Sequence, residues 1–159
     1  MLWTPLEFGR HAEKTLPQIL FCNPDWFFWA MDEQLFHPRT VLGQQAEELD
    51  YKARHIRIPA REGPPLVAQY VFTPQRKFSH LWLVPSTAPY PDGSNVILRW
   101  SVIDLSIPRQ QGGPYDKKGY RRLVQELRYL FFGKRNAKLT CQRCAAFYED
   151  PSHFVVPRD

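Results

Sequence analysis

The sequence predicts an α+β fold: N-terminal helices, a four-stranded, mainly antiparallel sheet, and C-terminal helices packed on it. Three observations predict it. Helix caps and helical apolar spacing dominate residues 16–51. From residue 54 the period falls to two, in four short runs rich in Val, Ile, Leu and aromatics. Beyond residue 116 an apolar stripe at helical spacing returns. The 159 residues suffice for one sizeable core, and 43% hydrophobic with 23% charged residues excludes a disordered chain. The expected organisation is a helical segment over 1–53 and an α+β part over 54–159, together one compact domain.

Taken in order, a short helix spans Leu16–Phe21. Asn23 then caps a second helix, with Pro24 at the first helical position, where its missing N–H costs nothing, and Asp25 beside the positive end of the helix dipole. Its aromatics Trp26, Phe27, Phe28 and Trp29 cannot all face inward on one helix, so some aromatic surface is left exposed. Thr40 caps a third helix to about Tyr51, with Leu42 and Leu49 inward. Strands follow over His55–Ile58, Leu66–Phe72, Phe78–Val84 and Val96–Leu105, and their short connections suggest an antiparallel meander. On the last of these, Val96, Leu98, Trp100 and Val102 alternate onto one face, which places Trp100 in the core. Gln110–Pro114 breaks the chain. Tyr120, Leu123, Val124, Leu127, Leu130 and Phe131 then form the clearest helical stripe, closed by Gly133. A last helix starts at Lys138 or Leu139 and ends at Tyr148, before Pro151.

Charge is segregated along the chain. Residues 1–50 carry three basic against eight acidic residues, residues 51–115 eight against three, and residues 116–159 ten against five. The net charge of +5 therefore conceals an acidic first third and two basic thirds. From Asp116 to Arg143, nine basic residues face only Asp116 and Glu126. Such density points to an anionic partner for Lys117, Lys118, Arg121, Arg122 and Arg128, extended by Lys134, Arg135 and Lys138. The alternative is that the acidic third packs near the basic part and neutralises it.

Phe8-Gly9-Arg10-His11, Lys14-Thr15-Leu16 and Asn23-Pro24-Asp25-Trp26-Phe27-Phe28-Trp29 form a pattern of their own. Over about residues 6–31 it resembles the small module at the C-terminus of exodeoxyribonuclease X-like proteins, shared by short bacterial proteins labelled quorum-sensing-regulated virulence factors. Arg10 stands where that module has Lys, and Glu13 where it has a second Gly. The resemblance implies a link to nucleic-acid processing, with Arg10, His11 and Lys14 as the matching basic residues. A Gly turn bearing these three just before a helix can hold an anion; equally, it can pack on the tryptophan helix with its charges merely solvated.

Catalytic patterns are sparse. No Asp-x-Glu pair is present to hold the two metal ions of an exonuclease core. Asp50-Tyr51-Lys52 near Glu48 falls on a polar helix, not on a buried strand. No nucleophile elbow or phosphate loop occurs, so neither Ser79-His80 nor Ser152-His153 has the setting of a triad. Cys141 and Cys144 form a lone C-x-x-C; with His153 they offer at most a partial zinc set, and helical spacing explains them equally as buried thiols with Ala145 and Tyr148. Tyr70, Phe72, Trp82 and Trp100 on the strands are candidates for stacking on bases.

The expectation is a non-enzymatic, cytoplasmic accessory protein that binds DNA or RNA mainly through backbone phosphates, without cofactor or membrane. An odd count of three cysteines fits a reducing compartment. The alternative is a small regulator or inhibitor docking on an acidic protein.

Overall fold

The computed structural model describes residues 2–112 and 116–156, and its helices begin where the caps lie. Thr15 precedes α1 (Leu16–Cys22), its N–H donating to Gln18 Oε1 at 3.0 Å. Asn23 Oδ1 accepts from Trp26 N at 3.2 Å to open α2 (Pro24–Asp32), and Thr40 Oγ1 accepts from Gly43 N at 3.0 Å to open α3 (Val41–Ala53). α1 is the hub of the core: Leu16, Ile19, Leu20 and Phe21 are all buried, and α2, α3 and two later helices pack around it.

The four expected strand segments all form, but they do not make one sheet. β1 (Ile56–Arg57) pairs with β5 (Val102–Ile103), whereas β2 (Leu66–Phe72) lies between β3 (Phe78–Pro85) and β4 (Val96–Trp100). The expected last strand is divided at Ser101. There the β2 side chain Tyr70 takes over the pairing: its hydroxyl donates to Val102 O at 3.3 Å and accepts from Asp104 N at 2.7 Å. The order β3-β2-β4 also replaces the expected meander. The long 86–95 connection carries the chain across to the far side of β2, pinned by Arg99, which donates to Ala88 O, Pro89 O and Gln69 Oε1.

One sheet face, Ala68, Tyr70 and Phe72 with Phe78 and Leu81, joins the core. A bulge between Val71 and Phe72 of the pairing lets Phe78 and Leu81 both point inward. Trp100 lies on this same face, opposite Ala68, yet is 47% exposed and not core. The physical reason is position: β4 is an edge strand, and the helix covering the sheet packs on β3 at the other edge.

That helix, α5 (Lys117–Phe132), follows a short α4 (Ile107–Gly112) in a stretch expected to be irregular; Gly113 and Pro114 lie outside the described residues. Gly133 ends α5 in the left-handed conformation (φ 85°), as its position predicts. Thr140 caps α6 (Cys141–Glu149), which packs on α1, and a 3-10 turn at Pro151–His153 brings Phe154 against Ile56. The core draws on residues 3–53 and 56–154 alike. Among the described residues no helix is long and apolar enough to cross a membrane.

Candidate functional site

The basic helix presents two different flanks. At 100° per residue, Lys117, Arg121 and Arg128 align in one stripe, while Lys118 and Arg122 lie on a second, with Lys118 exposed. Arg122 reaches Ser79 O of β3 at 3.4 Å. The first stripe lines a groove of about 590 Å³ whose opposite wall is Arg10 and the α1–α2 junction, Cys22, Asn23 and Asp25. The structure thus brings the N-terminal turn and the C-terminal helix, both read from sequence as basic, to the two sides of one groove.

Asp116 positions the helix end of this groove. Its buried carboxylate caps α5 by accepting from Gly119 N at 2.9 Å and also accepts from Phe78 N at 2.8 Å, tying α5 to β3. Gly119 is required here, because a Cβ would sit 2.5 Å from Asp116 Oδ2. Further along, Arg128 Nη2 donates to Phe21 O at 3.5 Å, while its buried Nε has no partner.

The other wall is a closed turn. Leu6 N donates to Lys14 O at 2.9 Å and Glu13 N to Leu6 O at 2.7 Å. Gly9 and Glu13 both take positive φ, 74° and 73°. Glu13 therefore adopts the glycine-favoured conformation despite its side chain. His11 locks the turn to α2: it is only 6% exposed, receives Asn23 Nδ2 on its Nε2 at 3.2 Å, and sets its ring edge to Trp26 at 5.1 Å between centroids. Burial, then the charges of Lys14 and Arg10, lower its pKa and favour the neutral ring. His11 is thus placed as a brace and not at the groove surface, with Lys14 Nζ 3.5 Å from its Nδ1.

A smaller cleft of about 320 Å³ adjoins the groove and shares Arg10, Asn23, Asp25 and Lys117 with it. Trp26, Trp29 and Arg109 complete it. Phe27 and Phe28 are buried, whereas Trp29 is 37% exposed, so the exposed aromatic surface expected on this helix belongs chiefly to Trp29. Arg109, from the unforeseen α4, pairs with Asp25 at 2.9 Å and Asp32 at 3.3 Å. Arg109 is shared between Asp25 and Asp32, and the Asp116 carboxylate is held by two backbone N–H groups. Against Asp25 and Asp116 the groove lining sets four cations, Arg10, Lys117, Arg121 and Arg128, so its charge is predominantly positive.

The remaining candidates are elsewhere. Arg135 pairs with Glu126 at 2.9 Å and covers the Tyr129 ring, while Lys134 and Lys138 are exposed past the end of α5. Lys52 pairs with Glu48, and Asp50 with Arg54, as ordinary helix-surface pairs. Of the strand aromatics, Tyr70 and Phe72 are buried, and Trp82 and Trp100 lie on opposite faces of the sheet.

All three cysteines are free; Cys144 is buried and Cys141 exposed, so the inward face of α6 is Cys144, Phe147 and Tyr148 and does not include Cys141. His153 stacks on Phe147 with centroids 4.2 Å apart and its Nδ1 against Phe147 O. No group of three metal-ligating side chains able to hold an ion occurs among the described residues. Burial pushes the Cys22 thiol in the groove wall up, with Lys14 and Arg128 opposing, which favours the protonated thiol.

Comparisons with family models, curated proteins and solved structures gave no match. The site therefore stands on its own residues. Those missed from sequence are Arg109 and the acceptors and donors Asn23, Asp25 and Gln125; aromatic exposure on α2 was expected, though not its assignment to Trp29. The helical spacing of Lys117, Arg121 and Arg128 was a usable signal; the approach of Arg10, more than a hundred residues away in sequence, had none.

Proposed function

We propose that this chain is a non-enzymatic nucleic-acid-binding accessory protein whose binding site is the groove between the Gly9–Lys14 turn and α5. The observation that carries this reading is the convergence of Arg10 with Lys117, Arg121 and Arg128 on one concave surface. A polyanion laid along α5 meets three cations over about 16 Å, from the 1.5 Å rise per residue, with Arg10 facing them. Arginine matches phosphate oxygens in fork geometry, and a concave wall concentrates the field. Recognition is then dominated by phosphates, with few sequence-reading contacts. The resemblance of residues 6–31 to a module linked with nucleic-acid processing supports the same reading, since that turn contributes Arg10. Three free cysteines fit a cytoplasmic, reducing setting.

Fluorescence anisotropy with labelled single- and double-stranded DNA and RNA at two salt concentrations tests it. Binding that weakens with salt and is lost in Arg10→Glu/Arg121→Glu, with an unchanged melting temperature, is expected. Co-purification of one acidic protein, with no salt-dependent binding of nucleic acid, would instead select the protein-docking alternative.

A further inference from the structure

The cleft beside the groove has a different chemistry from the groove itself. Its walls are tryptophans, Trp26 and Trp29, with ring centroids 6.3 Å apart and tilted by 50°. Trp26 is committed, with His11 and Phe36 against its ring, whereas Trp29 keeps an open surface. At its polar end the Arg109–Asp25 pair offers both donors and an acceptor. Arg10 and Lys117, the two cations it shares with the groove, also line it. The volume, about 320 Å³, lies at the small end of ligand pockets, which run from about 300 to 1,000 Å³.

From these features, and resting on the reading of the groove as a nucleic-acid site, we infer that the cleft receives one unpaired base of a single strand, stacked on Trp29, while its phosphate lies on Arg10 and Lys117. An aromatic wall suits any base face. The mixed donor–acceptor end matches a heteroaromatic rim and not a hydrocarbon chain. The cleft meets the Lys117–Arg121–Arg128 row only at Lys117, so a strand following α5 fills it by turning one base away from its neighbours. A duplex does this only by unstacking and unpairing; a single strand does it freely.

The test uses the full chain and three labelled probes of equal length: a base-bearing single strand, the same backbone with abasic spacers, and the duplex. Adenosine monophosphate serves as competitor. The base-bearing single strand should bind at least about tenfold tighter than the abasic strand. Trp29→Ala should erase that difference while leaving salt-dependent binding of the abasic strand, and Trp29→Phe should restore most of it. Unchanged melting of both variants establishes that they fold. Equal affinity for base-bearing and abasic strands overturns the base cleft and leaves the phosphate groove standing. Competition by adenosine monophosphate at the oligonucleotide's own affinity overturns the assignment to a strand. Failure of all probes to bind overturns groove and cleft together.

Discussion

Replacing Arg121 by alanine removes one exposed cation from the groove wall that makes no hydrogen bond or ion pair among the described residues, so its effect on binding is that of a lost phosphate partner. Binding of a single strand releases condensed counterions in proportion to the phosphates neutralised, with a slope of log K against log salt near −0.7 for each. Four groove cations, Arg10, Lys117, Arg121 and Arg128, give a slope of about −2.8. Affinity should then fall about 50-fold between 50 and 200 mM salt. In Arg121→Ala the slope should relax to about −2.1. Were all ten basic candidates outside His11 engaged, Lys14, Lys118, Arg122, Lys134, Arg135 and Lys138 included, the slope would approach about −7. Anisotropy titrations at five salt concentrations separate these values. A slope indifferent to Arg121, or one near zero, rules out a phosphate contact at Arg121.

Other outcomes follow from the same contacts. Asp116→Ala removes the acceptor of both Gly119 N and Phe78 N; losing the cap and leaving a buried N–H unpaired should cost about 2–4 kcal/mol in denaturant unfolding. Glu13→Gly relieves the positive φ at Glu13, and should raise stability by up to about 1 kcal/mol after the added freedom of the unfolded chain is subtracted. His11 has a lowered folded-state pKa, chiefly from burial. The unfolded chain therefore takes up its proton first, so stability holds above pH 6.5 and falls as pH drops through the lowered value. His11→Gln should flatten that part of the pH–stability curve, and His80, lowered first by burial and then by Arg122, accounts for part of what remains.

Local signals were the legible ones. Asn23, Thr40 and Gly133 mark helix ends through groups three or four residues away, so they can be read without knowing the fold. Period two located every strand segment. Where the chain switched sheets was hidden, because the break after Trp100 depends on a hydroxyl from Tyr70, thirty residues earlier. Trp100 was misread for the same reason: alternation assigns a face, but only the strand order decides whether that face is covered. At the site, the charge run along α5 was visible and its division into two flanks follows from helical spacing. The pairing of Arg109 with Asp25 and Asp32 and the arrival of Arg10 opposite α5 are products of packing around α1, and no local pattern announces them.

On the proposed reading, the groove and not the basic stretch as a whole holds the nucleic acid. Two double neutralisations of equal charge test it directly, measured as single-strand affinity at one low salt concentration. Arg10→Ala/Arg121→Ala, on opposite walls of the groove, should weaken binding by tenfold or more. Lys134→Ala/Lys138→Ala, beyond the end of α5, should change it less than threefold. Equal losses in the two variants, or the larger loss in the second, would place the binding surface outside the groove.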